Sequence, residues 1–257
     1  MEKINRVNIF GTYVSITHIR KAPSQIISLL KNKSVPGYMC LSDGYVLVQS
    51  TKNKDLKAIL NNSLITFPDG SPLVIYLKLK GIKDISTISG YWLVKELLVS
   101  DISHYFYGSS PEELLAIKKN IEKDFPKAKV LGYKSPPWVN LEEIENNSQI
   151  EQDIKEINAL KPEIVWIGMN SPKQDYLMAA YSHILDNSIM IGIGGVYDYL
   201  SGTMKISPEW VKKLSLRWVY RIVQNPKRIW KKAIISIFGF SWLVLIHSLG
   251  LRKINKE

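Results

Sequence analysis

An acidic residue, Asp69, stands between an apolar run and a helical pattern, in the segment FPDGSP at residues 67–72. In an open α/β sheet the ligand crevice lies outside the carboxyl ends of the strands. A carboxylate at such a place can act as a general base if its pKa suits the reaction. Pro-Asp-Gly is also ordinary turn chemistry, and the segment taken alone favours a plain turn. Asp69 is therefore a candidate base that needs support from other residues.

A second junction of this kind, YGSSPE at residues 107–112, contains Gly108 and Ser109. Glycine lets the backbone approach a ligand closely, and free amides at a helix start can bind phosphate or ribose oxygens. The alternative is a helix that is capped by Ser110 and has Pro111 at its first position, which needs no ligand. Both interpretations stay open for this segment.

The segment IGMNSPKQD at residues 167–175 places Lys173 and Gln174 in the first turn of the next helical pattern. A lysine is unusual at the positive end of a helix, and an anionic ligand would compensate it. A solvated surface lysine is the alternative explanation.

A glycine-rich segment, IGIGGVYD at residues 191–198, contains Gly194, Gly195 and Asp198. It resembles half of a dinucleotide-binding fingerprint, but the third glycine is missing at the required spacing. No strand with a ribose-binding acid follows, so an NAD-dependent enzyme is disfavoured. Asp198 remains a candidate for hydrogen bonding a base or a sugar, with a helix cap or a surface acid as the alternative.

Short apolar runs alternate with helical patterns, and this alternation predicts βαβ units. The predicted strands are residues 39–41, 64–67, 104–107, 129–132, 164–167 and 189–191. The predicted helices are residues 22–32, 44–62, 71–81, 111–124, 149–160 and 173–186. Several strands are apolar throughout, as expected where helices cover both faces of a sheet. The predicted fold class is α/β, with a mostly parallel sheet, helices on both faces and a basic helical C-terminal appendage.

The positive charge of the chain lies almost entirely at its C-terminal end. The 257 residues carry a formal net charge of +11. Residues 203–257 contain twelve Lys and Arg and two Glu, a net charge of +10, which leaves +1 for residues 1–202. We therefore predict an α/β core over 1–202 and a basic appendage over 203–257. Such asymmetry points to an anionic partner, which is nucleic acid, membrane phosphate or a phosphorylated ligand.

The appendage contains two helical patterns. Residues 207–224 are predicted to form one helix, with Ser207 as its cap and an apolar stripe that recurs every four residues. Residues 233–251, AIISIFGFSWLVLIHSLGL, are long enough for a tilted membrane crossing. Their serines and His247 weaken that interpretation, and a helix that lies in the membrane interface is as plausible. An ordinary buried terminal helix is the third alternative.

Metal and disulfide chemistry lack their usual signatures. The chain has no Asp-x-Asp pair, and its four histidines show no metal-ligand spacing. The single cysteine, Cys40, cannot form an internal disulfide. We expect no metal and no other cofactor, so arginines and lysines must neutralise any diphosphate.

These segments, in this order, resemble the WecG/TagA/CpsF family of glycosyltransferases, which act on lipid-linked sugars in bacterial envelope polysaccharide and teichoic acid assembly. The resemblance covers roughly residues 8 to 232. The matching segments are NIFG at 8–11, KDLKAILN at 54–61, FPDGSPLV at 67–74, YG at 107–108, SPP at 135–137, IG at 167–168, PKQD at 172–175, IGGVYDYLSG at 193–202, PEW at 208–210, RWVYR at 217–221 and NPKR at 225–228. Their joint order is far more specific than any single motif.

The resemblance implies a metal-independent, inverting transfer of an N-acetylmannosamine-type sugar from UDP to an undecaprenyl-diphosphate-linked sugar. In the family pattern Asp69 matches the proposed general base and Gln174 a residue beside the reacting sugar. Asp198 matches an acid that contacts uracil, and Arg221 and Arg228 match appendage arginines that bind the diphosphate.

We further expect Asp43, Gly108, Ser109, Lys173, Gly194 and Gly195 to contribute to substrate binding. The chain departs from the family pattern at Leu41-Ser42-Asp43, where many relatives have Thr and Asn. It also departs before Gly90, where many have Arg. Both departures lie near the expected site and leave the identity of the sugar open.

The partners implied are a UDP-sugar donor, an undecaprenyl-diphosphate-linked acceptor and an anionic membrane surface, without nucleic acid. The expected location is the cytoplasmic face of the bacterial plasma membrane, as a peripheral or monotopic protein, and self-association stays open. The alternative from another class is a non-catalytic protein that binds anionic lipid or nucleic acid through the basic tail. The apolar run within that tail suits lipid better than a nucleic-acid groove.

Overall fold

The computed structural model describes residues 4–32, 36–214 and 216–249. Its centre is a six-stranded parallel sheet with the strand order β4-β3-β8-β7-β5-β6, and an antiparallel hairpin, β1-β2, lies outside it. The strands are β1 (Arg6–Ile9), β2 (Thr12–Ser15), β3 (Gly37–Ser42), β4 (Ile65–Pro68), β5 (Ser103–Gly108), β6 (Lys129–Lys134), β7 (Ile164–Gly168) and β8 (Ile189–Gly192). The α/β class and the mostly parallel sheet are thus confirmed, and all six predicted strands are present.

Helices connect the strands and cover the sheet. They are α1 (Ala22–Lys31), α2 (Gly44–Ser50), α3 (Lys54–Asn62), α4 (Ser71–Leu79), α5 (Gly90–Leu98), α6 (Pro111–Asp124), α7 (Ser148–Leu160), α8 (Lys173–Tyr181), α9 (Tyr197–Leu200), α10 (Glu209–Lys213), α11 (Arg217–Gln224), α12 (Pro226–Ile234) and α13 (Phe240–Ser248). A π-helical segment, Ile235–Gly239, joins α12 to α13. We call the continuous helix Pro226–Ser248 the terminal helix.

Two large apolar clusters lie on the two faces of the sheet. Trp166 and Phe106 belong to one cluster, and Tyr107 and Val165 to the other. Adjacent residues of one strand thus enter opposite clusters, because successive side chains of a strand point to opposite faces. This two-sided burial explains why the strands are apolar throughout.

The prediction of one continuous appendage helix over residues 207–224 is wrong. In the structure α10 ends at Lys213 and a separate helix, α11, begins at Arg217. The apolar residues recur every four positions through both helices, so apolar periodicity alone could not reveal that α10 and α11 are separate. The helix predicted over 44–62 is likewise divided into α2 and α3. Asn53 caps α3 there by accepting a hydrogen bond from the Leu56 N–H at 2.9 Å.

The terminal helix packs one face on the core and leaves the other exposed. Phe240 and Leu243 are buried in a third apolar cluster, with residues of the hairpin, α2 and α4. By length and composition the terminal helix could cross a membrane, with a mean hydropathy of 1.7 and only 17% of its most apolar window buried. It is therefore not an ordinary buried helix. The last predicted positions of the apolar run, 250 and 251, lie outside the described residues.

Gly44, the first residue of α2, lets the terminal helix pack closely against the core. A Cβ atom at Gly44 would overlap the carbonyl oxygen of Ser236 and would lie 3.1 Å from the Cβ of Phe240. A Cβ at Gly239 would find its nearest neighbours at 3.5 Å, which is ordinary van der Waals contact. At this one interface, Gly44 has no room for a Cβ atom, whereas Gly239 has room for one.

We expect Gly44→Ala to lower the free energy of unfolding by about 1–3 kcal/mol, because the methyl group must displace backbone. Gly239→Ala is the matched control and should be neutral or stabilising by about 0.5–1 kcal/mol, because glycine weakens a helix interior. Urea unfolding of both variants measures the difference. Equal stability of the two variants would contradict the assignment of this crossing.

Candidate active site

The candidate site lies at the carboxyl edge of the sheet, where the loops after β3, β4, β7 and β8 meet. Because Ser42 of β3 is paired with Pro68 of β4, the next residues, Asp43 and Asp69, leave the two strands side by side. The Asp69 N–H donates a hydrogen bond to the Ser42 carbonyl oxygen at 2.9 Å. Two carboxylates are thus positioned at one end of neighbouring parallel strands.

Asp69 has the electrostatic setting of a base. Burial raises the pKa of Asp69 to about 6, and the Asp43 carboxylate adds to this rise. Arg221 and Arg217 of α11 act in the opposite direction. A carboxylate with a pKa near the working pH is both largely ionised and able to accept a proton.

Gln174 lies in the first turn of α8, and its side chain is buried. Its Nε2 donates to Ser171 Oγ at 3.1 Å, and its Oε1 has no hydrogen-bond partner among the described residues. A Cβ at Gly192 would lie 2.9 Å from Nε2, and a Cβ at Gly194 would lie 3.2 Å from Oε1. The glycines after β8 therefore make room for this amide, and the free Oε1 can accept a hydrogen bond from a substrate hydroxyl or amide.

The appendage brings two arginines to the glycine-rich segment. Arg228 Nη1 lies 2.7 Å from Asp198 Oδ1. Arg221 Nη2 would lie 3.2 Å from a Cβ at Gly195, and the Arg221 guanidinium is 6.0 Å from the ring centroid of Tyr199. Arg221 Nε is buried without a hydrogen-bond partner among the described residues. The site residues predicted from the core and from the appendage thus meet in one place.

Gly108 and Ser109 lie further along the same edge, at the end of β5. Gly108 has a φ of +140° and packs on Gly168, whose backbone would be 2.7 Å from a Cβ at Gly108. The Ser109 hydroxyl donates to the Glu113 carboxylate. Close packing of the strand ends therefore accounts for this glycine without a ligand, and the predicted role of both residues in binding stays a prediction.

Lys173 is engaged by the loop that follows β6. Its Nζ donates to the Val139 carbonyl oxygen at 2.7 Å and lies 4.7 Å from the ring centroid of Trp138. The ammonium group therefore has protein partners, and a compensating anion is not needed to explain its place at the start of α8.

Lys232, which is not among the predicted site residues, is brought into the site by the terminal helix. Lys232 Nζ lies 3.3 Å from the Ser171 carbonyl oxygen and 5.3 Å from the ring centroid of Tyr45. The signal that the sequence offers for Lys232 is its position directly before the apolar run of residues 233–251. A third cation accompanies the two arginines.

Asp175 was also missed as a site residue. It is fully buried, and its carboxylate lies next to the side chains of Ser171 and Cys40. Burial raises the pKa of Asp175 to about 6. Burial also raises the pKa of the neighbouring Cys40 thiol, and the Asp175 charge adds to that rise.

We expect Asp175→Asn to stabilise the fold above pH 6, by up to about 3 kcal/mol, because a rise of about two pKa units disfavours the ionised folded state by that amount. As pH rises from about 4 to 6, the unfolded carboxyl ionises before the folded one, so the stability of the parent falls. The gain from the variant should vanish below about pH 4.

Urea unfolding at pH 4 and pH 8 measures this difference. Asp124→Asn, which replaces an exposed carboxylate, is the matched control and should show no such pH dependence. A gain in stability from Asp175→Asn that is equal at pH 4 and pH 8 would contradict a raised pKa of buried Asp175.

The two segments that depart from the expected pattern lie close together. Leu41 Cδ2 would lie 3.0 Å from a Cβ at Gly90, the first residue of α5 and the residue that follows the second departure.

Comparison with known proteins agrees with this arrangement. The model of the glycosyl transferase WecG/TagA/CpsF family matches residues 7–254. An N-acetylglucosaminyldiphosphoundecaprenol N-acetyl-beta-D-mannosaminyltransferase from Bacillus subtilis (strain 168) is 30% identical over 198 residues, 76% of this chain and 73% of the relative. A protein of the same name from Bacillus spizizenii is 27% identical over 209 residues, which are 80% of this chain and 77% of the relative. One from Staphylococcus aureus (strain MW2) is 22% identical and covers 91% of each chain. The chain therefore belongs to the WecG/TagA/CpsF family of glycosyl transferases.

Proposed function

We propose that this enzyme transfers an N-acetylmannosamine-type sugar from a UDP-sugar to an undecaprenyl-diphosphate-linked sugar, in the assembly of cell-envelope polysaccharide or teichoic acid. The observation that carries the proposal is that Arg221 faces Asp69 at the same edge of the sheet where Arg228 pairs with Asp198. A base and a set of cations are what glycosyl transfer from a diphosphate requires. The names of the relatives support the choice of sugar and acceptor.

In the proposed reaction Asp69 removes the proton from the acceptor hydroxyl as the oxygen attacks the anomeric carbon. The attack comes from the face opposite the departing UDP, so the configuration is inverted. Arg221, Arg228 and Lys232 stabilise the negative charge that develops on the diphosphate. In this proposal the three cations supply the charge that a metal ion would otherwise provide.

Donor binding changes the partner of one arginine. Arg228 is ion-paired with Asp198 in this structure. If Asp198 contacts the uracil, as the family pattern implies, the donor binds Asp198 through its base and Arg228 through its diphosphate. Before the donor binds, the ion pair holds both side chains in place.

The exposed face of the terminal helix supports a position at an anionic membrane surface. Phe238 and Trp242 are 65% and 62% exposed, and Lys231, seven positions before Phe238, is also exposed. Because the opposite face packs on the core, we propose that the helix lies in the interface on the cytoplasmic side and does not cross the bilayer. The lipid-linked acceptor would be reached from that side.

A screen of UDP-N-acetylhexosamines against a short-chain lipid-diphosphate N-acetylglucosamine acceptor tests the proposal by mass spectrometry. We expect the acceptor to gain one N-acetylhexosamine residue with the manno donor. Release of UDP without a gain in acceptor mass would mean hydrolysis and would contradict the proposal. Binding of anionic vesicles without UDP binding would favour a non-catalytic lipid-binding protein instead.

A further inference from the structure

We propose that Asp43 and Asp69 act as a carboxylate pair, in which Asp43 is a positioning residue fixed beside the base. This inference rests on the proposed function for the identity of the base. It gives Asp43 a task other than substrate binding.

The geometry of the strand ends places the two acids together. β3 and β4 are neighbours, and the pairing of Ser42 with Pro68 brings Asp43 and Asp69 to the same level. A Cβ at Gly70 would lie 3.7 Å from the Cβ of Asp43. Gly70 has a φ of +88°, so the chain turns sharply after Asp69 and keeps the two loops in contact.

Asp43 is the fixed member of the pair. Its Oδ1 accepts a hydrogen bond from the Val46 N–H at 3.0 Å and caps α2. Burial raises the pKa of Asp43, whereas this bond and the charges of Arg221 and Lys232 hold the rise back. Asp69 precedes α4 without being its N-cap, which is Gly70, so the Asp69 carboxylate is the member left to accept a proton.

Charged and titratable groups face the pair from several elements. Those acting on Asp69 are Arg217 and Arg221 of α11, and Tyr199 of α9 also faces it. Those near Asp43 are Arg221, Lys232 and Tyr45, with Asp175 behind the loop. Burial and, after it, the Asp43 charge raise the pKa of Asp69, and the two arginines hold that rise back.

The pair has a defined place in the transfer step. Ionised Asp69 accepts the proton of the acceptor hydroxyl, and the oxygen forms a bond to the anomeric carbon. The bond from that carbon to the diphosphate oxygen breaks, and its electron pair leaves with UDP. Asp43 takes no proton, and its negative charge makes Asp69 a stronger base at neutral pH.

Asp43→Asn tests the proposal because the amide keeps an oxygen that can cap α2 but loses the charge. We expect the pKa of Asp69 to fall on the order of one unit. Carbon-13 NMR titration of the carboxyl groups in the full chain measures it, with Asp69→Asn used to assign the signal. The acid limb of the kcat/KM profile should move to lower pH by the same amount. Asp43→Ser, which also keeps a capping oxygen, should give the same shift.

Asp55→Asn is the matched control, since Asp55 is an exposed acid in the first turn of α3. It should leave the titration of Asp69 unchanged. If the pKa of Asp69 stays the same in both Asp43 variants, the proposal that the two acids act as a pair is wrong. The NMR titration needs no substrate, so it decides this question even if the expected transfer reaction is not found.

Discussion

Asp69→Asn is expected to lower kcat for sugar transfer by about 10²–10⁴-fold, the usual cost of losing a positioned general base. The amide has nearly the same shape and can keep the turn at Gly70, but it cannot accept the proton of the acceptor hydroxyl. UDP binding should be retained, because the diphosphate is held by the cations of the appendage. The loss should therefore appear in kcat and leave the affinity for UDP nearly unchanged.

Single-turnover assays and calorimetry with UDP separate these two effects. Asp55→Asn removes one exposed carboxylate from the same half of the chain and serves as the control for net charge. An Asp69→Asn enzyme that turns over as fast as the parent would remove Asp69 from the role of base. Loss of UDP binding together with turnover would point to a disturbed site.

Arg221→Ala is expected to lower kcat/KM by about 10²–10³-fold, the cost of removing one electrostatic contact from a developing oxyanion. Arg221 lies beside Gly195 and over Tyr199, and its charge also acts on Asp69. Arg221→Lys should recover only part of the activity, since an ammonium lacks the planar fork of donors that matches a phosphate.

A pH profile distinguishes this arginine from a merely structural one. Arg221 holds down the pKa of Asp69, so its removal should move the acid limb of the profile to higher pH, opposite to the shift expected for Asp43→Asn. Arg20→Ala removes an exposed arginine elsewhere and should change neither the rate nor the profile. An unchanged profile in Arg221→Ala would show that Arg221 does not face the base.

The sheet was predictable because its strands are short, apolar and separated by helical patterns. β1, β2 and α5 were missed for different reasons. The hairpin pairs polar Asn8 with Tyr13, so it lacks a continuous apolar run. α5 begins at Gly90, which is a poor helix former, and the Ser89 side chain before it makes no capping hydrogen bond. This glycine is required because a Cβ would approach Val196 to 2.8 Å. Such tertiary contacts leave no periodic trace in a sequence.

The site was predictable where it depends on strand ends and less so where distant segments meet. Asp43 and Asp69 follow adjacent strands, and that adjacency is a consequence of the strand order, which spacing along the chain does not reveal. The Asp198–Arg228 ion pair joins residues thirty positions apart and depends on how the appendage folds back. Lys173 is a similar case, because its unusual helix position is explained by the loop carbonyl of Val139, which lies 34 positions earlier in the chain.

The contact between the hairpin and the terminal helix has a consequence for synthesis on the ribosome. Phe10 packs on Phe240 and His247, with ring centroids 5.8 and 5.0 Å apart. Because translation proceeds from the N-terminus, Phe10 can make these contacts only after Phe240, 230 positions later, has been synthesised. Arg221 and Arg228 lie in the same late part of the sequence. In the proposed mechanism, a nascent chain that stops before them has Asp69 but lacks the cations that stabilise the departing diphosphate.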